Sequence, residues 1–192
     1  MPGPIRVLAI SGSLSSVSYN TAALRAAVQL APEDMEIEVI TLHGIPNFDA
    51  DLERDEGAPA AVQRLKTAIA AADALLIATP EYNRSIPGVL KNALDWASRG
   101  GSESPLRGKP AAILGAGARF GTLTAQAHLR QILQYGHVRV IPQPEVMIDR
   151  AETRFDDARS LTDQRSRDQI RRLLEALREE VRRGAHEPTP SP

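Results

Sequence analysis

A chain of 192 residues with 42% apolar and 24% charged residues is sized for one soluble domain with a substantial core. Its formal net charge of −1 offers no global basic field to nucleic acid or to an anionic membrane. The absence of cysteine removes disulfides, thiolate nucleophiles and thiolate metal sites, and His43, His128, His137 and His186 are too scattered for a metal-ligand spacing.

The start, Met1-Pro2-Gly3-Pro4, leads directly into a strand-like run, so no signal peptide is read. No apolar run approaches the ~20 residues needed to span a bilayer. The expected setting is the cytoplasm, with neither nucleic acid nor membrane as a partner. Residues 5–10 (IRVLAI) read as a buried first strand, followed by a polar loop over 11–19. Leu24, Ala27, Val28 and Ala31 then recur at helical spacing until Pro32 ends the helix. Residues 37–42 form a second strand, and the Pro/Asp-rich stretch 43–59 reads as a long loop. Val62, Leu65, Ile69 and Ala72 stripe a second helix, and residues 74–78 (ALLIA) form a third strand, apolar throughout as in the middle of a parallel sheet. Pro87 opens a third helix with Val89, Leu90, Ala93, Leu94 and Ala97 on its apolar face, and Gly100-Gly101 ends it. Residues 111–114 are the fourth strand, and Leu123, Leu129, Ile132 and Leu133 mark the fourth helix. The last strand region covers 138–141 and 146–148, interrupted by Pro142 and Pro144. A charge-rich fifth helix carries Ile170, Leu173, Leu174, Leu177 and Val181, with its charges on a solvated face. One domain over 1–184 is expected, with a disordered tail at 185–192.

Strand and helix alternate five times, which argues for an α/β sheet with helices on both faces. The pattern predicts a flavodoxin-like three-layer sandwich with a five-stranded parallel sheet in the order 2-1-3-4-5. In that order ligands bind beyond the carboxyl ends of the strands, at the switch between strands 1 and 3. The loops after strands 1, 3 and 4 are therefore the candidates.

The first of these, residues 11–20 (SGSLSSVSYN), contains five serines, and no acid precedes Glu33. Hydroxyls and backbone N–H groups at a helix N-terminus suit a phosphate. Capping by Ser18 or Asn20 alone is the plainer reading, but it needs only one such residue. Other anion and nucleophile motifs are absent: Gly108-Lys109 runs into Pro110 with no glycine at 103, and there is no G-x-G-x-x-G after strand 1 and no G-x-S-x-G anywhere. A receiver domain would need acids where these serines stand.

After strand 3 the chain reads TPEYNRSIPGVLKNALDW over residues 79–96. This closely resembles the signature of the NADPH-dependent FMN reductases, a group with bacterial chromate and quinone reductases and azoreductase-like enzymes. Residues 11–20 resemble that family's phosphate loop, and residues 115–121 (GAGARFG) its glycine-rich third loop. The resemblance extends over about residues 5–148. It implies FMN as cofactor, NADPH or NADH as hydride donor, a small electron acceptor and a homodimer or homotetramer. It implies that Ser13, Ser18 and Asn20, with Ser11, Ser15 and Tyr19 beside them, hold the FMN phosphate. Pro80, Glu81, Tyr82 and Asn83, with Ser85, would line the isoalloxazine, and Gly115, Ala116, Gly117, Arg119 and Gly121 would close its other side. No catalytic acid, base or nucleophile and no metal is expected, because the cofactor carries the chemistry. The acceptor would be a quinone, an azo or nitro compound, a metal oxyanion such as chromate, or free flavin.

Other residues of the signature have plainer readings. Trp96 is expected in the core or an interface, and Lys91 and Asp95, at i and i+4, form a helix-face pair. Two other functions remain open at this point: a flavin-binding electron carrier, against which the weak net charge counts, and a flavin-free regulatory relative. Ser15 stands where relatives often carry arginine, which removes a bidentate phosphate donor unless Arg84 or Arg119 replaces it.

Overall fold

The computed structural model describes residues 3–184, so the expected tail at 185–192 lies outside the described residues. Six strands are arranged with all pairings parallel: β1 (Ile5–Ser11), β2 (Met35–Thr41), β3 (Ala74–Ala78), β4 (Pro110–Ala116), β5 (Arg139–Val140) and β6 (Val146–Ile148). The sheet order is β2-β1-β3-β4-β5, and β6 also pairs with β4. The helices are α1 (Tyr19–Leu30), α2 (Ala50–Glu56), α3 (Ala60–Ala71), α4 (Gly88–Ala97), α5 (Leu123–Tyr135) and α6 (Gln164–Gly184).

The alternation of side chains along each strand sorts the core into two layers. Val7, Ala9, Leu76, Ala112 and Leu114 face the helices α1 and α6, packing with Leu24, Ala27, Leu173, Leu174 and Leu177. Their neighbours Leu8, Ile10, Leu75, Ile77 and Ile113 face the opposite layer and meet Leu65, Ile69, Leu90, Leu94, Leu129 and Leu133 of α3, α4 and α5. Strands buried on both faces read as unbroken apolar runs, which is why ALLIA carries no polar residue. The edge strand β2 keeps its charges because one side is open.

Two features depart from the sequence reading. The stretch 43–59 is not all loop, since it contains α2, capped by Asp49, whose Oδ1 accepts from Asp51 N–H at 2.8 Å. None of its residues is buried, so it has no apolar stripe by which to announce itself. The fifth strand is two pieces: β5 pairs with Pro110 and Ala111, and β6 with Leu114, Gly115 and Ala116. Pro142 and Pro144 lie between them and have no N–H for the ladder.

Candidate active site

Three strands run to the same edge of the sheet. Ser11 sits beside Ala78, and Ala78 beside Leu114, two residues before β4 ends, so the loops after β1, β3 and β4 leave the sheet on the same side. They enclose a cleft of about 370 Å³ at the switch between β1 and β3. Among the described residues, larger depressions of about 510, 640 and 400 Å³ lie at the other end of the sheet, where strands begin and helices finish.

The loop after β1 folds through its own hydroxyls. Ser13 Oγ accepts from Ser15 N–H at 3.2 Å, and Ser15 Oγ from Val17 N–H at 3.4 Å. Ser18 is the N-cap of α1, its Oγ accepting from Asn20 and Thr21 N–H groups at 3.2 Å each. These serines act towards the backbone as acceptors, so each keeps an O–H to donate. Ser13, Ser15 and Ser18 all line the cleft. Among the described residues, the N–H groups of Leu14, Ser16 and Tyr19 take no partner within the chain, and of these Tyr19 stands at the N-terminus of α1 and borders the cleft.

The other expected residues of this loop are placed differently. Ser11 is fully buried in β1, and its hydroxyl lies 2.8 Å from Thr21 Oγ1. Asn20 borders the cleft, but its amide is committed: Nδ2 donates to Ala116 O and Oδ1 accepts from Ala116 N–H, both at 2.9 Å. Asn20 thus fastens the first turn of α1 to the end of β4. Tyr19 also borders the cleft, and its ring packs 5.2 Å from Phe155 beneath the guanidinium of Arg159.

From the loop after β3, Pro80, Glu81 and Tyr82 line the cleft. The chain then turns tightly, with Tyr82 and Ser85 exchanging N–H···O bonds of 2.9 and 3.0 Å and both Asn83 (φ 49°) and Arg84 (φ 65°) left-handed. Asn83 and Ser85 lie outside the lining; Ser85 Oγ instead meets His128 Nδ1 at 3.1 Å. The Glu81 carboxylate leaves its own loop and accepts from Thr124 and Ala125 at the start of α5.

At the end of β4 and in the loop after it, Ala116 and Gly117 line the cleft, whereas Gly115, Arg119 and Gly121 do not. Gly115 is required by the chain itself, because a Cβ there would collide with Thr122 Oγ1 and lie 2.6 Å from Thr79 O. Gly121 holds a left-handed φ of 60° at the turn into α5. The arginine expectation is also altered. Among the described residues, no Lys or Arg lines the cleft, and Arg119 rests over the Phe120 ring at 5.2 Å.

Ala118, within the expected third loop, also lines the cleft, and Val17, Ala151 and Glu152, which were not foreseen, complete the lining. The turn Ala151–Thr153 arrives from beyond β6, where Ala151 N–H bonds Gly117 O at 2.9 Å and Arg150 N–H bonds Ala118 O at 3.0 Å. Arg154 pins it by reaching Asp149 at 3.3 Å and Asp163 at 3.0 Å. The Ser166 hydroxyl and backbone N–H hold the Asp163 carboxyl below the usual carboxylate range, with Arg154 adding to the effect. No local pattern marks Ala151 or Glu152 in the sequence.

The cleft offers hydroxyl and backbone donors at one helix N-terminus, which suit a phosphate, between Pro80, Glu81 and Tyr82 on one side and Ala116, Gly117 and Ala118 on the other. Comparison with known proteins identifies the family. The family described as NADPH-dependent FMN reductase matches residues 5–153. The chain is 53% identical over 184 residues to an NAD(P)H-dependent FMN reductase of Pseudomonas aeruginosa, covering 95% of this chain and 98% of that protein. It is 42% identical over 153 residues to a 2-hydroxy-1,4-benzoquinone reductase of a Burkholderia species, covering 79% and 82%. The solved structure of FerB, a flavoenzyme NAD(P)H:(acceptor) oxidoreductase from Paracoccus denitrificans, superposes with a TM-score of 0.82 at 32% identity, covering 93% of this chain and 98% of that one. The signature in the loop after β3, the sheet order and these similarities agree: the chain belongs to the NADPH-dependent FMN reductase family.

Proposed function

We propose that this cleft holds FMN with its phosphate on the loop after β1, and that the protein passes electrons from NADPH or NADH to quinones. Family membership makes the chain an NAD(P)H-dependent, FMN-linked oxidoreductase. The observation that supports the placement is the set of serine hydroxyls and the unpartnered N–H of Tyr19 at the start of α1. They share one cleft with Pro80, Glu81 and Tyr82 on one side and Ala116 and Gly117 on the other. Ser13, Ser15 and Ser18 donate to the phosphate. The walls formed by the loops after β3 and β4 position the ring and limit its contact with water.

When bound, FMN supplies the hydride and electron chemistry; the protein binds and orients it. Quinones are the first acceptor class to examine because the Burkholderia relative is a benzoquinone reductase. Azo and nitro compounds, metal oxyanions such as chromate, and free flavin extend the acceptor range. A homodimer or homotetramer in the cytoplasm completes the proposal. Among the described residues, no helix is long and apolar enough to cross a membrane.

Titration with FMN and with riboflavin tests the placement. FMN should bind at least about tenfold more tightly, since only its phosphate can use the α1 terminus. Equal affinities would remove the phosphate from the loop after β1. Steady-state kinetics with NADPH and a benzoquinone should give parallel lines if one open face serves both substrates in turn; intersecting lines would refute the shared face.

A further inference from the structure

The loop after β3 sends one side chain out of its own segment. Glu81 Oε2 accepts hydrogen bonds from Thr124 N–H at 2.9 Å and Ala125 N–H at 3.1 Å. These are N–H groups of the first turn of α5, which have no partner within the helix. They are ordinarily satisfied by the residue just before the helix. That residue, Thr122, is fully buried, and its hydroxyl accepts from Gln126 Nε2 at 3.0 Å instead. The first turn of α5 contains no acid of its own. Glu81 therefore supplies both the cap and the negative charge that a helix N-terminus favours, from 43 residues away.

The same residue lines the cleft, whereas Thr124 and Ala125 do not. A second tie runs parallel to the first, from Ser85 Oγ to His128 Nδ1 one turn further along α5. The loop that forms one wall of the cleft is thus bolted to the helix that ends the other wall.

We infer that Glu81 is a positioning residue for the flavin, its carboxylate setting the spacing of the two cleft walls by capping α5. The inference rests on the reading that this cleft binds FMN. Coupling of this kind is reciprocal: if the Glu81 cap favours the shape that binds FMN, bound FMN must favour the cap by the same factor. Occupancy of the cleft should then be felt at Thr124 and Ala125.

The test combines FMN titration by flavin fluorescence with amide hydrogen exchange in the full-length protein. In the wild type, FMN should slow exchange at Thr124 and Ala125. Glu81→Ala should weaken FMN binding about tenfold and abolish that slowing. Glu81→Gln keeps an acceptor oxygen without the charge, and should weaken binding by about threefold. Asp49→Ala removes an equivalent cap from α2, away from the cleft. It should lower the melting temperature and leave FMN affinity unchanged. A folded Glu81→Ala variant that binds FMN within about twofold of wild type would overturn the inference, since a purely structural cap costs stability alone. Should Glu81→Ala not fold, Glu81→Gln carries the test, and wild-type affinity in it overturns the inference. Failure of the wild type to prefer FMN to riboflavin would instead overturn the flavin placement, and this inference with it.

Discussion

The start of the segment 79–96 faces the cleft, and its helical end holds the scaffold behind it. Pro80, Glu81 and Tyr82 line the cleft. Asn92 and Trp96, one helical turn apart on α4, both donate to Pro46 O, at 2.8 and 2.9 Å, and Asn92 Oδ1 accepts from Phe48 N–H at 2.7 Å. Trp96 is fully buried with the Phe48 ring edge-on at 4.9 Å, so it is a core residue and not a flavin stack. A motif contiguous in sequence therefore has two physical origins. One half is shaped by what it faces in the cleft, the other by the need to fasten the loop after β2.

Substitutions can separate these halves. The largest effect is expected in the scaffold half: Trp96→Ala should cost about 3–5 kcal/mol in denaturant unfolding, from lost burial and the cavity left behind. FMN affinity of the folded fraction should stay within about twofold of wild type; loss of FMN binding at unchanged stability would break the division. Asn20→Ala comes next and should affect both properties, because Asn20 joins the start of α1 to the end of β4, both bordering the cleft. It would leave the N–H and carbonyl of Ala116 buried without their partner, at about 1–3 kcal/mol of stability. FMN affinity should fall with it, which a fluorescence titration would show.

Ser15→Arg belongs wholly to the cleft. With no Lys or Arg in the lining among the described residues, a new guanidinium should improve FMN binding by about 1 kcal/mol, or near fivefold, once side-chain ordering is deducted. Riboflavin affinity should not move, and the gain should shrink as salt is raised. An unchanged or weaker FMN affinity would place the phosphate elsewhere. The smallest effect is expected at Lys91, which pairs with Asp95 at 2.7 Å on the exposed face of α4. Lys91→Ala should cost about 0.2–0.5 kcal/mol, with no change in kcat or KM for a benzoquinone. A clear kinetic change would bring the second half of the motif into the site.

Much of the fold was legible because its signals are local. Short, mostly apolar runs and helical stripes predicted the layers, and the polar loop before α1 pointed to an anion-binding end of the sheet. The long match over 79–96 pointed to the family. The helix α2 was not legible, because without a buried face it has no periodicity to read. Nor could the sequence divide capping from binding among the serines, since Ser18 caps α1 and borders the cleft at once.

Composition and periodicity thus determined the layered parallel sheet, the switch point between β1 and β3 and the loops that matter, because burial and backbone pairing follow repeats only a few residues long. Only the tertiary structure decided that Asn20 is spent on Ala116, that Glu81 caps a helix 43 residues away, and that Ala151 and Glu152 close the cleft. Those assignments depend on which orphaned N–H or carbonyl lies within hydrogen-bond reach, and that distance exists only once the strands are in register and the loops lie side by side.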